Sequence, residues 1–356
     1  MAYQRRVFPA VLGLVALILF LNATFASPGR IKNGNIDLSS TPPVDTFVRA
    51  YNITYQSVMM TTVSDSTAIV MTDEEITWNV TKFGSLSLTS DLSASFNSLK
   101  TGTDGKTHNI QAAFSVVSNT NNNNFVASIV LLDGFATSLV LVEETTSLKT
   151  IYSFVQEKEP MPYFVSLYLS GNRLIAFSDL YIFVYADISA SEVTYTKYAV
   201  TASTISAAAW SSTGTAGDVF QVVGSNGSDS FIAQITVPTS GTPTVQTFYS
   251  FDATEANFSD VVVVEGTPAF IGTTGSQESS TPFFTALVNE TFHFFALSGK
   301  TQMYGGESTV LLTRGNHLSV WNPGQNQLVC SKTIVSNSYY PFTLQAAALT
   351  SNDQPI

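Results

Sequence analysis

Proton transfer near neutral pH calls first on imidazoles and carboxylates, and this 356-residue chain holds only three histidines, His108, His293 and His317. His293 stands in Thr291-Phe292-His293-Phe294-Phe295, a strand pattern, while the other two sit at turn edges. Neither a His-Glu-x-x-His pair nor a spaced Cys/His set occurs, so no zinc centre is expected. Two carboxyl groups facing each other across a sugar would serve glycoside hydrolysis. The densest acidic clusters, Asp73-Glu74-Glu75 and Glu143-Glu144, fit solvated hairpin turns better than opposed pairs. Asp252, Glu255 and Asp260 are spread over a segment between two strand groups, where a loop could present them together. Adjacency in sequence does not by itself create the opposed geometry, and no residue is assigned a catalytic role.

Other chemistries find less. The acidic loops lack the Asp-x-Asp-x-Asp-Gly spacing of a calcium loop. Gly214-Thr215-Ala216-Gly217-Asp218 lacks the lysine and the strand-to-helix setting of a phosphate loop. Neither metal nor cofactor is expected. The 25 Phe, 14 Tyr and three Trp could form a ligand platform, with Tyr339-Tyr340-Pro341-Phe342 and Phe283-Phe284 the densest groups. Packing between sheets consumes bulky residues in the same way. Cys330 is the only cysteine, so no intrachain disulfide forms. Its neighbours Leu328, Val329 and Ile334 suggest a strand and a buried, inert thiol, the alternative being a free thiol or one paired between chains.

The elements that would carry these residues are short strands. From residue 57 onward, units of about 45 to 50 residues recur, each reading as several strands joined by polar turns. They fall at roughly 57–105, 110–160, 163–203, 205–253, 258–302 and 305–338, with a remnant from Pro341 to Ile356. Ala68-Ile69-Val70-Met71-Thr72 leads to Ile76-Thr77-Trp78-Asn79. In the same way, Val310-Leu311-Leu312-Thr313 leads to Leu318-Ser319-Val320-Trp321-Asn322, an apolar strand followed by one with an aromatic near its end. Asp133-Gly134, Gly171-Asn172, Asn226-Gly227 and Gly315-Asn316 supply turns between them. Runs such as Val261-Val262-Val263-Val264 suit strands covered on both faces.

In this rhythm, and in Leu318-Ser319-Val320-Trp321-Asn322-Pro323, which is similar to the third strand of a WD-type blade, the chain resembles a β-propeller of the broad WD-repeat or quinoprotein-like kind. The resemblance implies an all-β fold, a single propeller over residues 46–356. Seven blades are favoured over six, and the ring would close by pairing a strand around Thr46 to Tyr55 with the terminal Phe342 to Leu349. A pair of β-sandwiches is the alternative fold. Thr103-Asp104-Gly105-Lys106-Thr107-His108 is similar to the Asp-box turn of sialidase propellers. It is one residue short, with His where that turn has Trp, and is read as an Asp-Gly β-turn.

The first residues carry an address. Arg5 and Arg6 precede an apolar run from Val7 to Leu21, and Thr24-Phe25-Ala26 has a small-x-small cleavage pattern. Residues 1–26 are expected to be a signal peptide and 27–45 an extended N-terminal arm. A run of about 15 apolar residues is short for the roughly 20 that span a bilayer, so cleavage with no stable membrane insertion afterwards is expected, a retained anchor being the alternative. Asn52, Asn79, Asn226, Asn257 and Asn289 each begin an Asn-x-Ser/Thr acceptor, which fits N-glycosylation of a secreted or cell-surface protein.

Removing the leader would take the formal charge from −11 to −13. That charge argues against nucleic acid or an acidic membrane as partner. Charged residues make up only 12% of the chain, against about 25% in an ordinary soluble domain. A surface of Ser, Thr, Asn and Gln suits a secreted, non-catalytic binding or assembly protein whose partner is an extracellular protein, a glycan or a second copy of itself. The alternatives are an extracellular carbohydrate-active hydrolase and a lectin-like module.

Overall fold

The computed structural model describes strand backbone at 58–64, 67–72, 76–80, 110–119, 124–131, 136–143 and 147–155, and residues 163–200, 203–275, 280–297, 299 and 301–333. Among the described residues the regular structure is β throughout, arranged as six antiparallel meanders. The first has three strands, β1 (Val58–Ser64), β2 (Thr67–Thr72) and β3 (Ile76–Val80). Five four-stranded sheets follow. They comprise β4 (Ile110–Asn119) to β7 (Ser147–Val155) through β5 (Asn124–Leu131) and β6 (Ala136–Glu143), and then β8 (Phe164–Ser170), β9 (Arg173–Ser178), β10 (Tyr181–Tyr185) and β11 (Tyr195–Ala199). Next come β12 (Thr204–Gly214), β13 (Gly217–Asn226), β14 (Asp229–Val237) and β15 (Thr244–Asp252). The last two sheets are β16 (Asn257–Val264), β17 (Thr267–Thr274), β18 (Thr281–Val288) and β19 (Thr291–Ala296), and β20 (Gln302–Gly305), β21 (Val310–Arg314), β22 (His317–Asn322) and β23 (Gln327–Thr333). The four complete sheets from Phe164 onward lie within a few residues of the units read from the turn signals.

In the four sheets from Phe164 onward, several short loops use residues that accept left-handed backbone. Gly171 (φ 57°) turns β8 into β9, and Glu265 (φ 48°) with Gly266 (φ 77°) turns β16 into β17. The β18–β19 turn uses Asn289 (φ 50°) and Glu290 (φ 61°). Asparagine tolerates that region; glutamate does so at a cost.

Successive sheets pack face to face. The first strand of each touches the first strand of the next, from β1 to β4, β8, β12, β16 and β20, so these strands form the inner row. Apolar layers fill the gaps. Ile175, Phe177, Phe220, Val222 and Ile235 form one between the β8–β11 and β12–β15 sheets. Val223, Ile232, Phe258, Phe270 and Phe283 form the next, and Val264, Ile271, Phe284, Val310 and Leu312 the one after. The largest fully buried side chains are all aromatic. Phe258 meets Phe251, Phe270, Phe283 and Phe292 at ring-centroid distances of 5.4 to 6.3 Å. Truncating such a residue to alanine costs about 3–5 kcal/mol.

One irregularity recurs near the start of four of the six inner strands. The ladder slips by one residue at Gln111 in β4, Val165 in β8, Ser206 in β12 and Ser259 in β16. A bulge of this kind bends the strand and increases its twist, and here it does so at matching points of four sheets.

Candidate functional site

The inner row places its side chains by parity, and the register assigns each to a gap. Asp260 follows the β16 bulge and pairs with Ile271, a member of the apolar layer shared with the β20–β23 sheet. Cross-strand partners share a face, so the Asp260 carboxyl is turned toward that layer. The residue as a whole is half-buried, but desolvation of the carboxyl pushes its pKa up to about 7, opposed by the Val261 N–H that donates to its Oδ1 at 2.8 Å. Asp252 is held differently. Its Oδ1 accepts from the Thr254 hydroxyl at 2.6 Å and the Thr254 N–H at 2.8 Å, which lower its pKa. Asp252 and Glu255 are exposed. The three carboxylates considered together in the sequence thus have separate roles, a capped turn, an exposed turn residue and a strand residue facing an apolar layer.

His293 and His317 are described, and His108 lies outside the described residues. His293 is half-buried in β19 opposite Ala286, and His317 opens β22 with its Nδ1 2.7 Å from the Thr333 hydroxyl. Among the described residues no three His, Cys, Asp or Glu side chains gather as a metal site, and no helix is long and apolar enough to cross a membrane. Cys330 lies in β23 opposite Val320. It is half-buried rather than buried, a correction that follows from its place on an outer strand covered on one side. Burial still pushes its thiol pKa up, which disfavours the reactive thiolate.

The aromatic pair Phe283-Phe284 is core, with both residues essentially inaccessible. Tyr339 to Phe342, the Asp-box-like segment Thr103 to His108, the acidic cluster Asp73 to Glu75, the terminal strands and the leader lie outside the described residues. Asn52 does as well, while Asn79 falls in β3, described as backbone only. Asn226 ends β13, Asn257 starts β16 and Asn289 lies in the β18–β19 turn, all three exposed.

A different set of residues is gathered between the β8–β11 and β12–β15 sheets, at the end where first strands turn into second strands. Arg173 opens β9 and forms an ion pair with Asp218 of β13. The same guanidinium donates to the Pro238 carbonyl at 2.8 Å and the Val237 carbonyl at 3.4 Å. Thr213 donates to Asp218 Oδ1 at 2.8 Å. Above this latch, Tyr168 of β8 and Trp210 of β12 lie with rings parallel to within 7° and centroids 5.7 Å apart. Tyr168 also sets its edge against buried Phe220 at 5.3 Å, the residue that pairs with Trp210 across β12–β13. Its hydroxyl reaches the side chains of Ser170 and Thr213, and burial followed by the Asp218 charge raises its pKa.

The sequence reading did not single out Trp210. The available signal was a lone large aromatic in a strand of small residues, Ser206-Ala207-Ala208-Ala209-Trp210-Ser211-Ser212.

No protein-family model and no curated protein matches the chain. Solved structures do. PorZ, an essential surface component of the type-IX secretion system of Porphyromonas gingivalis, is similar with a TM-score of 0.51 at 10% identity, over 85% of this chain and 35% of that one. The chain therefore spans about a third of the length of PorZ. The N-terminal domain of Nup159 gives 0.49 at 9% identity over 83% of each chain. The WD40 domain of SCAP from fission yeast gives 0.40 at 16% identity over 62% of this chain and 52% of that one. At such identities the likeness speaks to fold alone, and the two lower scores carry no argument. Meanders of four strands packed face to face along an inner row, with this likeness, define an all-β protein of the β-propeller class.

Proposed function

We propose that this chain is a secreted, N-glycosylated propeller that works without catalysis, by assembling with further copies of itself. The carrying observation is on the outer strands. In β15 and β23 a ladder slip turns one apolar residue out of register, Phe248 and Val329 respectively. Both are exposed, at 43% and 45%, beside Val245 at 58% and Leu328 at 43%. Two equivalent sheets thus offer equivalent apolar spots on one molecule, on segments without acidic residues from Thr244 to Phe251 and from Gln327 to Thr333. A second copy brings matching apolar spots, so the net charge, −13 once Arg5 and Arg6 leave with the leader, is not concentrated across the contact. Unprotected outer strands of this kind are pairing sites.

The leader at 1–26 and the acceptors Asn52, Asn79, Asn226, Asn257 and Asn289 support export. The exposure of Asn226, Asn257 and Asn289 suits glycan attachment. Seven blades, the last made by joining Thr46 to Tyr55 with Phe342 to Leu349, fit the six meanders plus the chain at both ends.

Sedimentation of the secreted protein over a concentration series tests assembly. The natural chain should grow in size with concentration, and a Val245→Lys, Phe248→Lys, Leu328→Lys, Val329→Lys variant should not. A strict monomer at high concentration, or assembly unchanged in the variant, overturns it. Glycosidase treatment should remove mass from the natural chain and less from each Asn→Gln variant. Deleting residues 341–356 should abolish cooperative unfolding if the ends close the ring.

A further inference from the structure

Trp210 is 42% exposed, although it lies on an inner strand and one of its faces is covered by Tyr168. The accessible part is therefore the opposite face and edge of the indole. Packing does not require this arrangement, because an aromatic placed to fill a gap loses its surface to neighbours, as Phe220 beside it does. The platform is also firmly seated. Tyr168 is held from below by Phe220 at an interplanar angle of 81°, and the two strands are joined where the Ala208 N–H donates to the Ser166 hydroxyl at 2.9 Å.

Around the stack stand uncharged polar groups on ordered backbone. Ser170 and Thr213 are exposed and meet the Tyr168 hydroxyl; the ladder slip at Ser211 puts Thr213, opposite Asp218, on the same face as Trp210, opposite Phe220. The two charges beneath, Arg173 and Asp218, are paired with each other and present no free ion to a ligand. An open aromatic face flanked by hydroxyls and without net charge matches one chemistry, a pyranose ring whose C–H face lies on the indole while its hydroxyls exchange hydrogen bonds at the rim. From the Trp210–Tyr168 stack and the Ser170 and Thr213 hydroxyls, we infer that the inner end of the β8–β12 seam is a binding site for a neutral saccharide. The site is on the inner row, away from β15 and β23, and does not depend on assembly.

The test uses the secreted full chain after enzymatic removal of its own N-glycans, titrated with cellotriose, maltotriose, mannotriose and chitotriose. Saturation-transfer NMR and tryptophan fluorescence report binding. At least one trisaccharide should bind saturably, with contact concentrated on the sugar C–H protons. Trp210→Ala should weaken that binding by about tenfold or more and Trp210→Phe by less, as expected for a stacking anchor. Trp321→Phe should leave it unchanged. Because Trp210 is exposed, its alanine variant is expected to fold, and circular dichroism checks this. Val245→Lys with Phe248→Lys should not affect sugar binding, which separates this site from the assembly surface. Absence of binding to all four sugars overturns the inference, as does binding that a folded Trp210→Ala variant retains. Loss of concentration-dependent size in Trp210→Ala, with no sugar effect, would make the ring a contact between copies and overturn it as well.

Discussion

Asp260 lies directly across the β16–β17 ladder from Ile271, a carboxyl set beside an aliphatic side chain of an inter-sheet layer. Its pKa of about 7 makes stability depend on pH. An unfolded aspartate releases its proton near about pH 4, so between that pH and 7 the folded state binds the additional proton. Stability is then fully present below the unfolded value and is lost as pH rises through the window. Asp260→Asn keeps an acceptor for the Val261 N–H and removes the titration. It should match the natural chain near pH 4 and exceed it above pH 7, by up to about 4 kcal/mol less what water recovers on the accessible side. Urea unfolding at pH 4, 6 and 8 measures the gap, and a gap constant with pH contradicts the assignment.

Arg173 and Asp218 tie neighbouring sheets together. Replacing Asp218 with alanine strands the guanidinium beside the Pro238 carbonyl and removes the Thr213 acceptor, and should cost about 3 kcal/mol. Arg173→Ala should cost a similar amount. A double-mutant cycle should return a coupling of about 1–3 kcal/mol; additive losses would show that the two residues act separately.

Gly224 and Gly272 occupy equivalent places in β13 and β17. A Cβ on Gly224 would press on the Thr204 carbonyl and come within 2.8 Å of the Phe231 ring, and one on Gly272 would meet the Asn257 carbonyl and, at 2.8 Å, the Phe283 ring. Alanine at either should destabilise by about 2–4 kcal/mol, because backbone cannot give way as a flexible side chain can. Gly227→Ala, in open space at φ 65°, should cost only about 1 kcal/mol. Thermal unfolding of the three variants ranks them.

Glu290 holds φ 61° in the β18–β19 turn, a region that costs an ordinary L residue about 1–2 kcal/mol. Glu290→Gly should raise the melting temperature by a few degrees, about 2–4 °C per kcal/mol in a domain of this size. A fall would mean that the glutamate side chain contributes more than its backbone costs.

Local grammar made the meanders legible. Gly171-Asn172 and Gly315-Asn316 fall between apolar strands, and residues a few positions apart decide such hairpins. The position of Asp260 was not legible, because its surroundings come from Ile271 on the neighbouring strand and from a separate sheet. Trp210 escaped for a related reason. Its partner Tyr168 is 42 positions earlier in the chain, and exposure on an inner strand depends on how two sheets are set against each other. The Arg173–Asp218 latch likewise spans 45 positions.

The inner-strand slips have an evolutionary reading. Gln111, Val165, Ser206 and Ser259 share a place but no single residue type, since a bulge asks only that one strand carry an additional residue. The constraint is on spacing and not on letters. Substitution at these sites is cheap, whereas a one-residue insertion or deletion within an inner strand would tilt a whole sheet, so descendants of such a chain can lose textual likeness long before they lose shape.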